Sequence, residues 1–430
     1  MSILQRILAS FAKATLVKHK PIIVVVTGSV GKTSTRHAVA EVLKKFYRVR
    51  MSHKNHNTEM DVLLTILGIE HYGNNIVAQF GALIHAACNM YVSKKAYPEV
   101  LILEYGVNRP GDMDRLISIA RPNIAVVTAI GEVPSHIEFF KDVEELTAEK
   151  AKLVQALSID GYAILNHDDY GVYDMKEKTK AHVMTYGFEE QAEVRIVNYE
   201  LRLAKDENLG DIPDGITFKI QQNGSIVPIR LHNVFGRPSC YAAASAAAVG
   251  LVLNRNLVEI SEALHSYQSP PGRLCLVKGI KRSFILDDTY NASPESMRSA
   301  LDTLKALPGK RKIAVLGDML EIGRYTEQAH RSVGDQASEF VDLLITVGAR
   351  AKFIADEALN HGLEKHVCLL APAQVMSFDN PVDAGHALDP LIEEGDIVLV
   401  KGGREMRMER AVFEIMAQPL RAKELLIRQE

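Results

Sequence analysis

Short unbroken apolar runs alternate with stretches of helical period along most of the chain. Residues 22–26 (IIVVV) form a β-branched run that stops at a glycine-containing turn, which predicts a strand buried on both faces. A helical pattern follows from Lys32 to Phe46. VLILEYG (100–106) and IAVVTAI (124–130) are further buried runs, and GDMDRLISIA (111–120) between them has helical spacing. Strands alternating with helices predict a parallel sheet covered on both faces. Residues 190–233 break this rhythm: VRIVNYELRL and ITFKIQQ alternate apolar and polar positions around Gly-Asp and Asn-Gly turn signals, which predicts a small antiparallel insert. An alanine-rich helix over 241–253 restores the first pattern.

Pro270-Pro271-Gly272 stands where a domain boundary is expected. A second α/β series follows it: strands 284–288, 312–318, 343–348 and 396–402, with helices over 294–307 and 325–340. The expected fold is therefore α/β. It comprises a central domain (21–270) with a parallel sheet and a small antiparallel insert, then a doubly wound, Rossmann-like domain (271–430). Residues 1–20 predict an amphipathic helix, because Ile3, Leu4, Ile7, Leu8 and Phe11 share one face. That face is expected to pack on the body of the protein. A second reading is a basic helix resting on the inner face of a membrane. The apolar stretch 76–92 is expected in the core.

Composition narrows the function classes. A net charge of −3 gives no general affinity for polyanions, so no nucleic-acid partner is expected. Cys88, Cys240, Cys275 and Cys368 are far apart with no CxxC pair, which argues against disulfides or a zinc ribbon and fits a reducing cytoplasm. No apolar run reaches the length of a membrane span. Arg6 and Lys13 break up the N-terminal apolar residues, so a signal peptide is excluded. A monomer is expected.

TGSVGKTST (27–35) directly follows the first strand. Gly28 and Gly31 let backbone amides turn towards an anion, and the helix N-terminus adds partial positive charge. Lys32 would reach the β- and γ-phosphates and the Thr33 hydroxyl would bind Mg²⁺, with Ser29, Val30 and Ser34 completing the loop. The central domain is thus expected to be a P-loop ATPase domain using ATP and Mg²⁺. Glu104 closes the buried run 100–104, and an acid at the carboxyl end of a parallel strand beside such a loop suits Mg²⁺. Asp288 ends strand 284–288, where an open α/β sheet presents its ligands.

Further segments occur in order with the loop: KNHNTEMDV (54–62), LEYGVNRPGDM (103–113), AEKAK (148–152), PPGRL (270–274), DDTYNASPESM (287–297), GDMLEIG (317–323) and VKGGR (400–404). Together they resemble the Mur ligases over nearly the whole chain, nearest to the MurF branch, which adds D-alanyl-D-alanine to a UDP-muramoyl tripeptide. The resemblance implies ATP-dependent amide synthesis between a carboxylate and an amine through an acyl phosphate, on small-molecule acid and amino-acid or dipeptide substrates. It implies that His136 lies near a second Mg²⁺ and that Lys150 is the carbamylated lysine, with Lys152 as the alternative. Asn57 and Thr58 would face the reacting groups, and Arg273 the phosphates. Asp288 would lie at the ATP ribose, and Tyr290 and Asn291 would line the amine site. Lys401 and Arg404 would hold a substrate carboxylate.

The chain departs from the branch at four points. Pro238 and Ser239 stand where the branch has a histidine and an adenine-binding asparagine, so Asn166 is the expected replacement. Asp61 and Leu63 stand for a glycine and a proline. The branch also carries an N-terminal domain for the UDP-sugar. Only residues 1–21 precede the first strand here, so the acid is expected to lack a UDP group or to be held by other elements. Two other readings follow: a Mur-type ligase for a tetrapyrrole, folate or polyglutamate acid, and an inactive nucleotide-binding scaffold. His330 reads equally as a capping, core or catalytic residue.

Overall fold

The computed structural model describes residues 3–52, 58–69, 81, 83–84, 86–87, 96–207, 210–365 and 374–427. The β-branched runs form strands because their side chains fit a surface buried on both sides. β1 (Ile22–Thr27), β2 (Val49–Met51), β3 (Val100–Glu104), β4 (Ile124–Val127), β5 (Tyr162–Asn166) and β6 (His182–Gly187) are all parallel, in the order β2-β3-β1-β4-β5-β6. β7 (Val194–Asp206), β8 (Gly210–Gln222) and β9 (Ser225–His232) extend that sheet as an antiparallel meander, the insert expected over 190–233. The ladder is irregular where Leu203 meets Pro213 and Arg202 meets Gly215, as befits a proline within a strand.

Helix α1 (Ile3–His19), α3 (Glu59–Leu67) and the helices Asp112–Ile119 and Val143–Gln155 cover one face. α2 (Lys32–Lys44) and the alanine-rich helix Arg237–Val252 cover the other. Small alanine side chains let this helix lie close against β5, β6 and α2. α1 buries Leu8, Ala12 and Thr15, so the body-packed reading holds for one side of the helix. Ile7, expected on that side, is 41% exposed, because the buried stripe runs through Leu4, Leu8, Phe11 and Thr15. The stretch 76–92, expected in the core, lies mostly outside the described residues; within it Ala86 is buried and Ile84 exposed.

The second sheet begins at Cys275, just past Pro270–Gly272. Its order is β10 (Cys275–Lys278), β11 (Phe284–Asp288), β15 (Ile397–Lys401), β12 (Lys312–Gly317), β13 (Leu343–Val347), β14 (Val375–Phe378), parallel except for the β10 edge. Leu286, Leu301, Ala314 and Leu399 belong to the same apolar cluster as Leu103 and Leu146 of the first half, so the two halves share packing. Among the described residues no helix is long and apolar enough to cross a membrane. Cys240 and Cys275 are free and buried; Cys88 and Cys368 lie outside the described residues.

Candidate active site

The loop after β1 is closed by its contact with β4. Ser29 N–H donates to the Ala129 carbonyl at 2.6 Å and Thr128 Oγ1 to the Val30 carbonyl at 2.6 Å. Gly28 has φ 144°, and a Cβ there would lie 1.9 Å from Thr128 Oγ1, so only glycine fits. Gly31 caps α2 at φ 84°. Lys32 Nζ donates to the Gly28 and Ser29 carbonyls at 2.9 and 3.2 Å, folding over the loop. Burial pushes its pKa down, Glu104 offsets this, and Arg273 adds to it.

Three elements converge on that loop. β3 ends in Glu104, which is 4% exposed and accepts from the Thr33 hydroxyl at 3.3 Å. The helix Val143–Gln155 sends Lys150, 2% exposed, to donate to the Gly28 carbonyl at 3.0 Å. From the second half, Arg273 Nη2 donates to Thr33 Oγ1 at 3.3 Å. Glu104 and Lys150 thus both point at the loop around Lys32.

Burial holds the Lys150 pKa well below that of an ordinary lysine, and the Lys32 ammonium adds to this. A neighbour decides which lysine turns inward. Glu149 Oε1 accepts from Gly111 N–H and Met113 N–H, each at 2.9 Å, and its Oε2 lies 2.7 Å from Lys152 Nζ. Lys152 also binds Asp114 at 2.6 Å, so it stays at the surface and Lys150 faces the loop.

A cavity of about 760 Å³ opens beside the loop. Val30, Gly31 and Ser34 form one wall, Asn166 and Asp168 another, and Arg273, Asp288 and Lys401 face them from the second half. The Asp168 carboxylate accepts from Phe188 N–H and the Tyr241 hydroxyl, and the Arg237 guanidinium lies 4.0 Å over the Phe188 ring. Asn166 Oδ1 accepts from Asp168 N–H at 3.1 Å. Ser239 donates to the Phe235 carbonyl at 2.8 Å. Lys401, 1% exposed, lies 2.6 Å from Asp288 and donates to the Asn291 carbonyl at 2.8 Å. In this conformation it neutralises Asp288 rather than standing open to a substrate. Arg404 N–H donates to Asn291 Oδ1 at 3.2 Å, and Arg273 stacks 3.7 Å over Tyr290.

Some expected residues lie apart. His136, at φ 67°, pairs its Nδ1 with Glu321 Oε2 of the second half at 2.7 Å. Thr58 caps α3 in a capping box with Asp61, which gives the departure at 61 a local role. It also lines a second cavity of about 330 Å³ with Gln5, Glu59, Gly106, Asn108 and Asp112. Asn57 lies outside the described residues. His330 is a core residue: its Nε2 accepts from Met319 N–H at 3.0 Å and its Nδ1 lies 2.6 Å from the Thr326 carbonyl.

Arg36 was not legible as a site residue. Its guanidinium is fully buried, lies 3.4 Å from Glu104 Oε2 and donates to the Ser52 hydroxyl. It stands one turn beyond Lys32 and Thr33, so its place on their face of α2 was the available signal.

A profile of the Mur ligase middle domain matches residues 26–250, and one of the Mur ligase glutamate ligase domain matches 272–404. The chain belongs to the Mur ligase family. A UDP-N-acetylmuramoyl-tripeptide–D-alanyl-D-alanine ligase of Bacillus subtilis is 28% identical over 420 residues, 96% of this chain and 80% of its own. The Escherichia coli protein of that name is 25% identical over 393 residues, covering 91% and 76%. The MurF ligase of Thermotoga maritima, solved with ADP, superposes with a TM-score of 0.76 at 24% identity over 97% of this chain and 84% of its own. The Mycobacterium tuberculosis folylpolyglutamate synthase shares the fold at a TM-score of 0.65 and 15% identity, covering 94% of each chain. As a Mur ligase the chain is an ATP-dependent, ADP-forming ligase, which sets aside the inactive scaffold.

Proposed function

We propose that this Mur ligase joins the terminal carboxylate of a muramoyl tripeptide, as its UDP derivative, to the amine of D-alanyl-D-alanine in peptidoglycan synthesis. The observation that carries the reading is the convergence of Lys32, Thr33, Glu104 and Lys150 on one loop, met there by Arg273 of the second half. The Bacillus subtilis and Escherichia coli ligases of that specificity, aligned over most of both chains, favour it over a tetrapyrrole, folate or polyglutamate acid.

A carboxylate is a poor acyl donor, because oxide is a poor leaving group. Its oxygen attacks the γ-phosphorus of ATP, the bond to the β-phosphate oxygen breaks, and ADP leaves. The amine then attacks the acyl carbon, phosphate departs with the C–O bonding pair, and the amine loses a proton. Each step crowds anions, so fixed cations and dipoles do most of the work. The amides of the loop and the N-terminus of α2 hold the phosphates. Lys32 reaches the β/γ-bridge, and Arg273 neutralises charge as the second sheet closes over it. Thr33 and Glu104 fit a magnesium ion, since a hydroxyl and one carboxylate leave the remaining positions to phosphate and water. The ion would supply neutralisation of the transferring phosphoryl group.

Lys150, whose pKa burial lowers, is suited to add carbon dioxide and become a carbamate that would complete this set. His136 would stand beside it on the loop after β4, held there by Glu321 of the second half. Asn166 and the Phe188–Arg237 rim take the base, and Asp288 the ribose. Asn57 and Thr58 meet the acid, Tyr290, Asn291 and Arg404 the dipeptide, and Lys401 holds Asp288 in place. The chain acts as a monomer in the cytoplasm, at the inner face of the membrane through α1.

Measuring ADP release with each substrate pair tests the reading. Release should need both UDP-muramoyl tripeptide and D-alanyl-D-alanine and yield a pentapeptide product by mass spectrometry. Release stimulated by glutamate instead, with no pentapeptide, would replace it with a polyglutamate ligase.

A further inference from the structure

α1 shows two different faces. Leu8, Ala12 and Thr15 are buried on the side of α1 that packs on α3 and the helix Asp112–Ile119, and the Thr15 hydroxyl is satisfied by the Phe11 carbonyl at 2.8 Å. The opposite side holds Ile7, Ser10, Ala14 and Val17, at intervals of three and four residues. At about 100° per residue they fall within an arc of about 80°. All four are exposed, Ile7 at 41% and Val17 at 73%. Ser10 turns its hydroxyl back to the Arg6 carbonyl at 3.1 Å, so it adds little polarity to the stripe.

Exposed basic residues flank that stripe, Lys18 on one side and Arg6 and Lys13 on the other. Residues 1–20 hold Arg6, Lys13, Lys18, His19 and Lys20 and no acidic residue, although the chain as a whole is net −3. Positive charge is therefore concentrated on a helix that exposes an apolar line. An apolar stripe between basic flanks suits an interface where acyl chains lie beneath anionic headgroups. A second copy of α1 would bring like charges together. Nucleic acid would leave the apolar line uncovered and would find no exposed aromatic there to stack on.

We propose that the outer face of α1 is a docking surface for an anionic lipid bilayer, with Ile7, Ala14 and Val17 entering the headgroup boundary and Arg6, Lys13 and Lys18 binding the headgroups. The proposal rests on the placement at the inner membrane face given above and is independent of which acid the enzyme uses. A single such helix with few basic groups gives reversible, salt-sensitive attachment.

Sedimentation of the full chain with vesicles tests it, comparing pure phosphatidylcholine with phosphatidylcholine carrying roughly one-third phosphatidylglycerol. The protein should sediment with the anionic vesicles and be released by high salt. Val17→Glu, and separately Lys13→Gln with Lys18→Gln, should each weaken binding about tenfold or more. Both variants change exposed side chains, and ADP release with soluble substrates and without lipid should stay unchanged in them. Equal binding to both vesicle types, or binding unaffected by Val17→Glu, would overturn the proposal. So would a dimer that Val17→Glu dissociates, or retention on RNA rather than vesicles. Vesicle binding lost in the variants, together with no ligase turnover in any of the proteins, would leave the docking surface standing and remove only the proposed substrates.

Discussion

Arg36 shows how much one buried charge can organise. Its guanidinium belongs to α2, its ion-pair partner Glu104 ends β3, and its hydrogen-bond partner Ser52 follows β2. It therefore ties the phosphate helix, the acidic strand end and the start of the segment leading to Asn57. Removing one member of a buried pair leaves the other charge without compensation, at a cost of about 3 kcal/mol or more. Arg36→Gln should lower stability by about that much in urea denaturation, and Arg36→Lys by less, because it keeps the charge and loses the fork. An unchanged urea midpoint for Arg36→Gln would mean that Glu104 is balanced by other groups.

Asp287 makes a pH-dependent counterpart. It is fully buried, and burial pushes its carboxyl up to about 7 against two hydrogen bonds from Thr289. Between about pH 4 and pH 7 the native chain keeps a proton there that the unfolded chain has lost, so stability falls as pH rises through that window and levels off above it. Asp287→Asn should remove this slope and gain of order 4 kcal/mol relative to the parent at pH 8, with no gain near pH 3.5. Parallel stability profiles for the two proteins would show that Asp287 ionises normally.

At the scale of elements, α3 is the place where a departure from the family pattern can be weighed. It has nine residues, few enough that its ends matter. Thr58 and Asp61 exchange backbone and side-chain bonds in a capping box, with Thr58 N–H donating to Asp61 Oδ2 at 3.0 Å. Asp61→Gly should cost about 1.5–2 kcal/mol, from the lost cap and the lower helix propensity. Asp61→Ala should cost about 1 kcal/mol. Amide exchange over Val62–Leu67 reads this directly, and unchanged protection in both variants would deny the cap its role. The long elements were legible in the sequence because their signals are local. IIVVV, VLILE and IAVV announce buried parallel strands, and the alternation around Asn223-Gly224 announces the meander. The three-residue β2 and the four-residue edges β10 and β14 carry too little periodicity to stand out. The choice between Lys150 and Lys152 could be posed from sequence, but Glu149 decides it through bonds to Gly111 and Met113, far away in the chain. Arg36 was hidden for the opposite reason, since an arginine on a helix normally reads as solvated.

The two halves meet at a second point besides Arg273, and this one explains a stretch of sequence that the chemistry leaves unused. The GDMLEIG turn after β12 faces the loop after β4: Glu321, at φ 61°, pairs with His136, itself at φ 67°. Left-handed backbone at two non-glycine residues costs each of them about 1–2 kcal/mol, which the closed contact must supply. Beside the pair, Gly323 at φ 51° lies so close that an added Cβ would stand 3.0 Å from the Cβ of Glu138. Gly323→Ala therefore strains its own turn and pushes the second sheet away from the first. Arg273 sits on the same moving half, so its 3.3 Å bond to Thr33 should lengthen with the displacement. The expected outcome is a raised KM for ATP and a kcat reduced several-fold, because Arg273 acts only once the halves are together. Small-angle scattering with a non-hydrolysable ATP analogue should show a larger radius of gyration than the parent. Kinetics and scattering that both match the parent would show that the His136–Glu321 contact is not the arrangement in which the reaction occurs.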